Sequence, residues 1–184
     1  FDLSIGSMIG AAGMVLAIPI AVYGWPLWAA LLLALAAALL VGFLNGYIVN
    51  RTKLPSFIVT LAFLFMLRGL TIGFTRLITG RTQVSGIRTA VADSWLYPLF
   101  AGDLLGLPAS VWWWFAMAIL ASWLLLRTRF GNWIFGVGGD ADAARNAGVP
   151  VERVRIVLFM GTALAATLFA AIQVLEFGSA DVLR

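Results

Sequence analysis

Long runs of apolar residues alternate with shorter polar segments along this chain of 184 residues. A helix needs about 20 consecutive apolar residues to cross the hydrocarbon core of a bilayer. Runs of roughly that length lie at about residues 3–22, 28–49, 55–74, 108–126 and 156–175. Because backbone polar groups in lipid must be satisfied within the protein, such runs form helices. The pattern therefore predicts an all-α fold, a single polytopic bundle of about five transmembrane helices over residues 1–184.

Two connections between these runs are too long to be simple turns. Residues 76–107 contain the partly apolar piece Trp95 to Phe100, which we expect to lie along the membrane surface. Residues 127–155 form the second connection, and its polar sequence indicates contact with a soluble partner.

The second connection has the sequence of a short helix with defined ends. Asp140 is a good N-cap, residues 141–147 are mostly helix formers, and Gly148 suits the left-handed position after a helix. The glycines in residues 136–139 predict a flexible corner before it, and Pro150 lies where the next helix begins. A helix of about two turns is marginal in water by itself, so another part of the protein or a partner must hold it.

Composition agrees with a membrane bundle and excludes several kinds of chemistry. The chain is 62% hydrophobic and 11% charged, and its mean hydropathy is +1.02. It contains no cysteine and no histidine, which removes thiol chemistry and the commonest metal ligand and general base. It also contains no phosphate-binding Gly-x-x-x-x-Gly-Lys-Ser/Thr motif. We therefore predict that the protein is not an enzyme and holds no cofactor or metal.

Basic residues are distributed unevenly between the two ends of the predicted bundle. Connections at one end contain Arg51, Lys53, Arg127, Arg129, Arg145, Arg153 and Arg155. The other end has Arg76, Arg81 and Arg88. Because basic residues favour the cytoplasmic side, residues 127–155 are predicted to be cytoplasmic and residues 76–107 external. The net charge of +4 is explained by this topology, and we predict no binding to nucleic acid.

Arg68 is the one charged residue within the apolar runs. No acidic residue lies at helical spacing from it. A buried arginine in a membrane usually faces the interior of the bundle or a hydrated cavity. The alternative is an extended side chain that reaches the outer interface, which the predicted run places about two turns away. Arg68 is therefore a candidate residue of a path or of the bundle interior.

Glycines four residues apart favour close packing between membrane helices. Such pairs are Gly6 and Gly10, Gly42 and Gly46, and Gly69 and Gly73. Asn45 lies within the second pair, and we predict that its amide hydrogen bonds to another helix. Near the start of the chain, Asp2 and Ser4 are expected to cap the first helix, although Asp2 is also a candidate residue of a path.

The residues Asp142, Ala143 and Ala144, followed by three residues and Gly148, resemble the Glu-Ala-Ala-x-x-x-Gly motif of ABC importer permeases. The surrounding RFGNWIFGVGGDADAARNAGV is more similar to the permeases of ribose/xylose-type sugar importers. Two features depart from the general motif. Asp142 replaces glutamate, and residues 158–161 replace the Ile-x-Leu-Pro that often ends it. The string from Asp2 to Ser7 also resembles a segment of these permeases, which implies a break in the first helix within the membrane.

The resemblance implies a cytoplasmic coupling helix that docks on an ATPase and uses Asp140, Asp142, Ala143, Ala144 and Gly148. It implies a permease subunit of an ABC importer in the inner membrane, which forms the path for a monosaccharide. The sequence is then expected to be an excerpt of a longer permease chain. The implied partners are an ATP-binding subunit, a periplasmic sugar-binding protein, a second permease copy or paralogue, and membrane lipid. The alternative is a secondary transporter or channel without an ATPase. Ion-coupled transporters, however, usually place acidic residues or histidine within their spans.

Overall fold

A computed structural model describes residues 1–52 and 54–182, so Lys53 lies outside the described residues. The elements in chain order are α1 (Ile5–Tyr23), α2 (Leu27–Thr52), α3 (Ser56–Thr79), β1 (Gln83–Ser85), α4 (Ile87–Val91), α5 (Tyr97–Ala101), β2 (Asp103–Leu104), β3 (Leu107–Pro108), α6 (Ala109–Arg127), α7 (Arg129–Gly139), α8 (Ala141–Asn146), α9 (Val151–Phe177) and β4 (Ser179–Asp181). Within these described ranges α1, α2, α3, α6 and α9 are long and apolar enough to cross a membrane. The predicted all-α polytopic bundle is confirmed.

Three of the spanning helices, α2, α3 and α9, are longer than the apolar runs that predict them. α3 continues to Thr79, where Gly80 adopts a left-handed φ of 69°. α9 begins at Val151, directly after Pro150. The backbone hydrogen-bond ladder continues through polar residues until glycine or proline interrupts it. Hydropathy therefore marks the part of each helix that is in lipid, whereas glycine and proline set where the helix ends.

α1 runs through the middle of the bundle between α2, α3 and α9. α2 and α9 approach each other backbone to backbone at the second glycine pair. A Cβ on Gly42 would lie 2.6 Å from the carbonyl oxygen of Phe159, and one on Gly46 would lie 2.7 Å from the Cα of Ile156. The close packing predicted for this pair is thus present. α6 lies at the edge of the bundle, and Ala109 is the only buried residue of this helix.

Three glycines of the other two pairs lack the close contact that their spacing predicts. A Cβ on Gly6, Gly69 or Gly73 would meet no heavy atom of the described residues within 4 Å. The prediction of tight packing at these positions is therefore wrong for this part of the chain. Small residues permit a close approach, but a partner helix must also be present to occupy the space.

Residues 83–91 of the connection between α3 and α6 fold back into the bundle, whereas Trp95 and Leu99 farther along it are exposed. β1 pairs antiparallel with β4, with Val84 opposite Ala180. Ile87 and Val91 in α4 are buried in the same hydrophobic cluster as Met14 of α1. The backbone N–H of Ile87 donates to the carbonyl oxygen of Gly178 at 3.2 Å. We call Gln83–Val91 the re-entrant segment, because it fills space beside α1 and α9.

Residues 136–139 are helical and do not form the predicted flexible corner, because α7 continues to Gly139. Glycine lowers helix propensity, but packing against a neighbouring helix overrides so small a preference. A Cβ on Gly136 would lie 3.8 Å from the Cβ of Ala144, which shows that α7 and α8 are in contact there. The corner is the single residue Asp140 between these two helices.

Candidate functional site

The end of the bundle where α2 ends and α3 and α9 begin carries the short helix α8. We call this the basic end. One carboxylate oxygen of Asp140 accepts hydrogen bonds from the backbone N–H groups of Asp142, at 2.9 Å, and Ala143, at 3.0 Å. Gly148 adopts a φ of 82° after the helix. The capped start and the left-handed end are both as the sequence predicts, and they fix a helix that would be marginal alone.

The two faces of α8 differ. Ala144 is 7% exposed because it packs against its own chain. Asp142 and Ala143 are exposed, and Arg145 bonds Asp142 across the same face at 3.0 Å. An exposed pair of this kind adds little stability. Ala144 therefore holds α8 in place, whereas Asp142 and Ala143 are accessible on its other face.

α8 is connected directly to the long helix α9. The N–H of Val149 donates to the carbonyl oxygen of Ala144 at 3.0 Å, so the chain turns tightly between the two helices. Val151 at the start of α9 is buried. The side-chain amide of Asn50 donates to the carbonyl oxygen of Glu152 at 2.9 Å and ties the end of α2 to the start of α9. A displacement of α8 would consequently be transmitted to α9.

A polar network surrounds the start of α1. One carboxylate oxygen of Asp2 accepts from the backbone N–H of Ser4 at 2.9 Å and from its hydroxyl at 2.6 Å. The other accepts from the hydroxyl of Thr162 in α9 at 3.0 Å. Asn45 in α2 donates to the hydroxyl oxygen of Ser4 at 3.1 Å. The N–H of Leu3 donates to the hydroxyl oxygen of Thr60 in α3 at 3.1 Å. We call these side chains the Asp2 network, and it connects α1 to three other spanning helices.

This geometry distinguishes the two expectations for Asp2. Ser4 is the N-cap of α1, but no side chain caps that helix. Asn45 lies seven residues before the end of α2 at Thr52, and Thr162 lies eleven residues after the start of α9 at Val151. At 1.5 Å per residue these are depths of about 10 Å and about 16 Å from the basic end. The start of α1 thus lies beside the interior of α2 and α9, and Asp2 joins helices instead of capping one.

Asn45 makes the predicted hydrogen bond between helices and is 1% exposed. Its Oδ1 has no partner within the described part of the chain. Thr60 and Thr162 were not candidates in the sequence, because a hydroxyl in a membrane helix usually satisfies itself on its own backbone. Both also do so here, at 2.9 Å to Ser56 and 3.0 Å to Phe159. No sequence signal separates them from other helical threonines.

A cavity of about 900 Å³ lies between the Asp2 network and α8. Its lining includes Asp2 and Thr162 on the bundle side and Asp142 and Arg145 on α8. The charged groups of both signs make it a hydrated space. Both α8 and the start of α1 therefore line the same cavity at the basic end.

Arg68 lies in the middle of α3 and not near its outer end, because the helix continues to Thr79. It is twelve residues after Ser56 and eleven before Thr79, or about 18 Å and 16 Å from the two ends. Its exposed side chain lines a cleft of about 240 Å³ between α3 and α1, together with Ser7 and Thr71. Arg68 is therefore about three turns from the end of α3, and its side chain faces a cleft shared with α1.

Comparison with known proteins agrees with the sequence resemblance. The family model described as branched-chain amino acid transport system / permease component matches residues 1–183. The chain is 35% identical over 183 residues to the ribose import permease protein of Escherichia coli K12, covering 98% of this chain and 54% of that protein.

Two further relatives carry related names. The xylose transport system permease protein of Haemophilus influenzae is 29% identical, covering 86% of this chain and 56% of that protein. The L-arabinose transport system permease protein of Escherichia coli K12 is 32% identical, covering 91% and 48%. The chain thus spans about half the length of the curated relatives that it matches. No solved structure matches it.

Proposed function

The chain belongs to the family of permease components of ABC importers represented by the branched-chain amino acid transport system, and from this membership we propose that it forms the path for a monosaccharide. It is a multi-pass protein of the inner membrane. The observation that carries the proposal is the similarity over nearly the whole chain to relatives named for ribose, xylose and L-arabinose. These three sugars are pentoses, so a small neutral polyol is the substrate class that we propose.

We infer that α8 docks on a separate ATP-binding subunit. Its exposed face carries Asp142, Ala143 and Arg145, and it has no large apolar side chain that would sink into lipid. The count of basic residues predicts that this end is cytoplasmic, where ATP is available. A periplasmic sugar-binding protein and a second permease, either another copy or a paralogue, would complete the importer.

The proposed mechanism is alternating access driven by ATP binding. Movement of α8 reaches α9 through the tight turn at Gly148, and it reaches α1 through the hydrogen bond between Thr162 and Asp2. The permease must have two global states that bind the ATPase differently, since otherwise ATP binding would change nothing in the membrane. A secondary transporter or channel would instead move sugar without ATP.

Co-purification with the ATP-binding subunit tests this proposal. In the full-length chain, Ala143→Trp adds a bulky side chain to the exposed face of α8. We expect normal membrane yield, loss of the ATP-binding subunit on affinity purification, and loss of ATP-dependent sugar uptake in proteoliposomes.

The matched control is Leu126→Trp, which adds the same ring at a residue of α6 that is 72% exposed. This variant should retain both the subunit and uptake. Undiminished ATPase binding and uptake in Ala143→Trp would refute docking through α8, and uptake that needs no ATP in the parent protein would favour the alternative.

A further inference from the structure

We propose that the re-entrant segment and α9 form the sugar-recognition site of this permease, a proposal that rests on the function inferred above. The site is a cavity of about 160 Å³ lined by Gln83 of β1, Gln173 of α9, Ser179 and Asp181 of β4, and Gly10 and Gly13 of α1. Its volume lies below the range of roughly 300–1,000 Å³ for drug-sized ligands, so it suits one small solute.

The cavity lies toward the end of the bundle opposite the basic end, because Gln173 is four residues before the end of α9 and Ser179 follows that end. Gln173 is eleven residues beyond Thr162 in α9, and Gly13 is eleven residues beyond Asp2, the acceptor for the Thr162 hydroxyl. A Cβ on Gly13 would lie 3.3 Å from Cγ2 of Val174, which confirms that these levels of α1 and α9 face each other. Gly13 is eight residues from the start of α1 and ten from its end. The site is therefore beside the middle of α1 and close to the end of α9, near the entrance to the bundle opposite the basic end.

Three polar side chains of this cavity, those of Gln83, Gln173 and Ser179, are open to a ligand. Across residues 1–52 and 54–182, the side chains of Gln83, Gln173 and Ser179 make no hydrogen bond. Gln173 is half-buried in a spanning helix, where an amide without a partner is costly and is retained when it has a role. A purely structural glutamine would hydrogen bond to a neighbouring helix, as Asn45 does to Ser4. The unmet donors and acceptors point to a partner that enters from solution.

The chemistry of the lining matches a polyol. A carboxamide offers both donors and an acceptor, so two glutamines can pair with neighbouring hydroxyl groups of a sugar. Gly10 also lines the adjoining cleft of Arg68, Ser7 and Thr71. The guanidinium of Arg68 and the hydroxyl groups of Ser7 and Thr71 continue the polar surface along α1. They extend the proposed sugar path beyond the recognition site.

The re-entrant fold is needed to build this site. Gln83 reaches α9 only because β1 pairs with β4, with Gln83 opposite Asp181 and Ser85 opposite Ser179. Beyond this ladder the N–H of Val182 donates to the carbonyl oxygen of Thr82 at 3.2 Å. Val84 and Ile87, buried below the ladder, hold the segment against the helices.

Sugar uptake by Gln173→Leu tests the proposal. The full-length permease is reconstituted with its ATP-binding subunit, and initial rates are measured with radiolabelled D-ribose, D-xylose and L-arabinose. Loss of hydrogen bonds to the sugar should raise KM about tenfold and change the preference among the three sugars. Co-purification of the ATP-binding subunit should be unchanged, because Gln173 is far from α8.

Thr167→Val is the matched control, since it removes a polar group from α9 that bonds only to its own backbone at Ala163. It should leave KM within about twofold of the parent value. If Gln173→Leu does not accumulate in the membrane, Gln83→Leu gives the decision, because Gln83 is exposed at the mouth of the cavity and should show the same rise in KM. Unchanged KM and sugar preference in these variants would overturn the site while leaving the transport function intact. A parent protein that imports none of the three sugars would overturn both proposals.

Discussion

The two groups of polar side chains in this bundle differ in whether they hydrogen bond to each other. In the Asp2 network, both carboxylate oxygens of Asp2 accept hydrogen bonds, and the partners come from neighbouring helices. Apart from Oδ1 of Asn45, its polar groups are satisfied. In the cavity beside the re-entrant segment, Gln83 and Gln173 have no such partner among the described residues. Satisfied groups fasten helices together, whereas unsatisfied groups that open onto a cavity are suited to bind a solute.

This difference leads to separate expectations for mutation. Changes in the Asp2 network should lower stability, with a loss of transport as a consequence. Changes in the cavity and cleft should lower transport with little effect on stability. The three predictions below run from the largest to the smallest expected effect on the free energy of unfolding, measured by thermal unfolding of the full-length protein in detergent.

Gly42→Ala should have the largest effect, because it breaks the contact between helices on which the Asp2 network depends. The new methyl group would lie 2.6 Å from the carbonyl oxygen of Phe159, and backbone cannot move aside as a flexible side chain can. We expect a loss of about 1–3 kcal/mol or complete failure to accumulate. The control is Gly161→Ala in α9, where a Cβ meets nothing within 4 Å and helix propensity improves. Equal stability of the two variants would contradict the close approach of α2 and α9.

Asp2→Ala should have the next largest effect, because it leaves the N–H and the hydroxyl of Ser4 without their acceptor, whereas the Thr162 hydroxyl keeps the carbonyl oxygen of Phe159. Each unsatisfied group in the bundle interior costs about 1–3 kcal/mol, although water from the adjoining cavity reduces this loss. Asp2→Asn is the matched control, because its amide oxygen can still accept from Ser4, and it should retain most of the stability. If Asp2→Ala melts at the same temperature as the parent but transports poorly, Asp2 belongs to the path and the comparison between the two groups fails.

Local features of the fold could be predicted from the sequence. Continuous apolar runs indicate the five spanning helices, because a helix that crosses lipid needs such a run. The cap at Asp140 and the left-handed Gly148 depend only on their immediate neighbours, so α8 was also predictable. The glycines within residues 136–139 led to the wrong prediction of a flexible corner, because packing of α7 against α8 outweighs their low helix propensity.

Features that depend on distant residues could not be predicted. β1 pairs with β4 across roughly half of the chain, and neither strand has a distinctive sequence. The cavity that contains Gln83 and Gln173 exists only because of that pairing. The start of α1 beside Asn45 and Thr162 likewise follows from contacts with distant residues, and composition alone reveals nothing of it. Hydropathy also placed Arg68 near the outer end of α3, because it underestimates how far that helix continues.

Arg68→Leu should have the smallest effect on stability and a clear effect on transport. Among the described residues the guanidinium has neither an ion-pair nor a hydrogen-bond partner, so its removal leaves no buried group unsatisfied. A charge near the middle of a membrane helix is itself costly by about 2.5–3.5 kcal/mol, and leucine is free of this cost. The melting temperature should therefore be equal or higher. Sugar uptake should fall about tenfold if the guanidinium donates hydrogen bonds to the passing sugar.

Arg68→Lys separates charge from geometry in this cleft. Lysine keeps the positive charge but lacks the planar fork of donors, so it should restore only part of the uptake that leucine removes. Full uptake in the leucine variant would mean that Arg68 reaches solvent or lipid headgroups without contact with the sugar. A lower melting temperature in both variants would instead show that Arg68 stabilises the bundle, as the Asp2 network does. The cleft would then have a structural role. The comparison between the Asp2 network and the side chains of the cavity and cleft is supported if stability is unchanged and sugar uptake decreases from arginine to lysine to leucine at position 68.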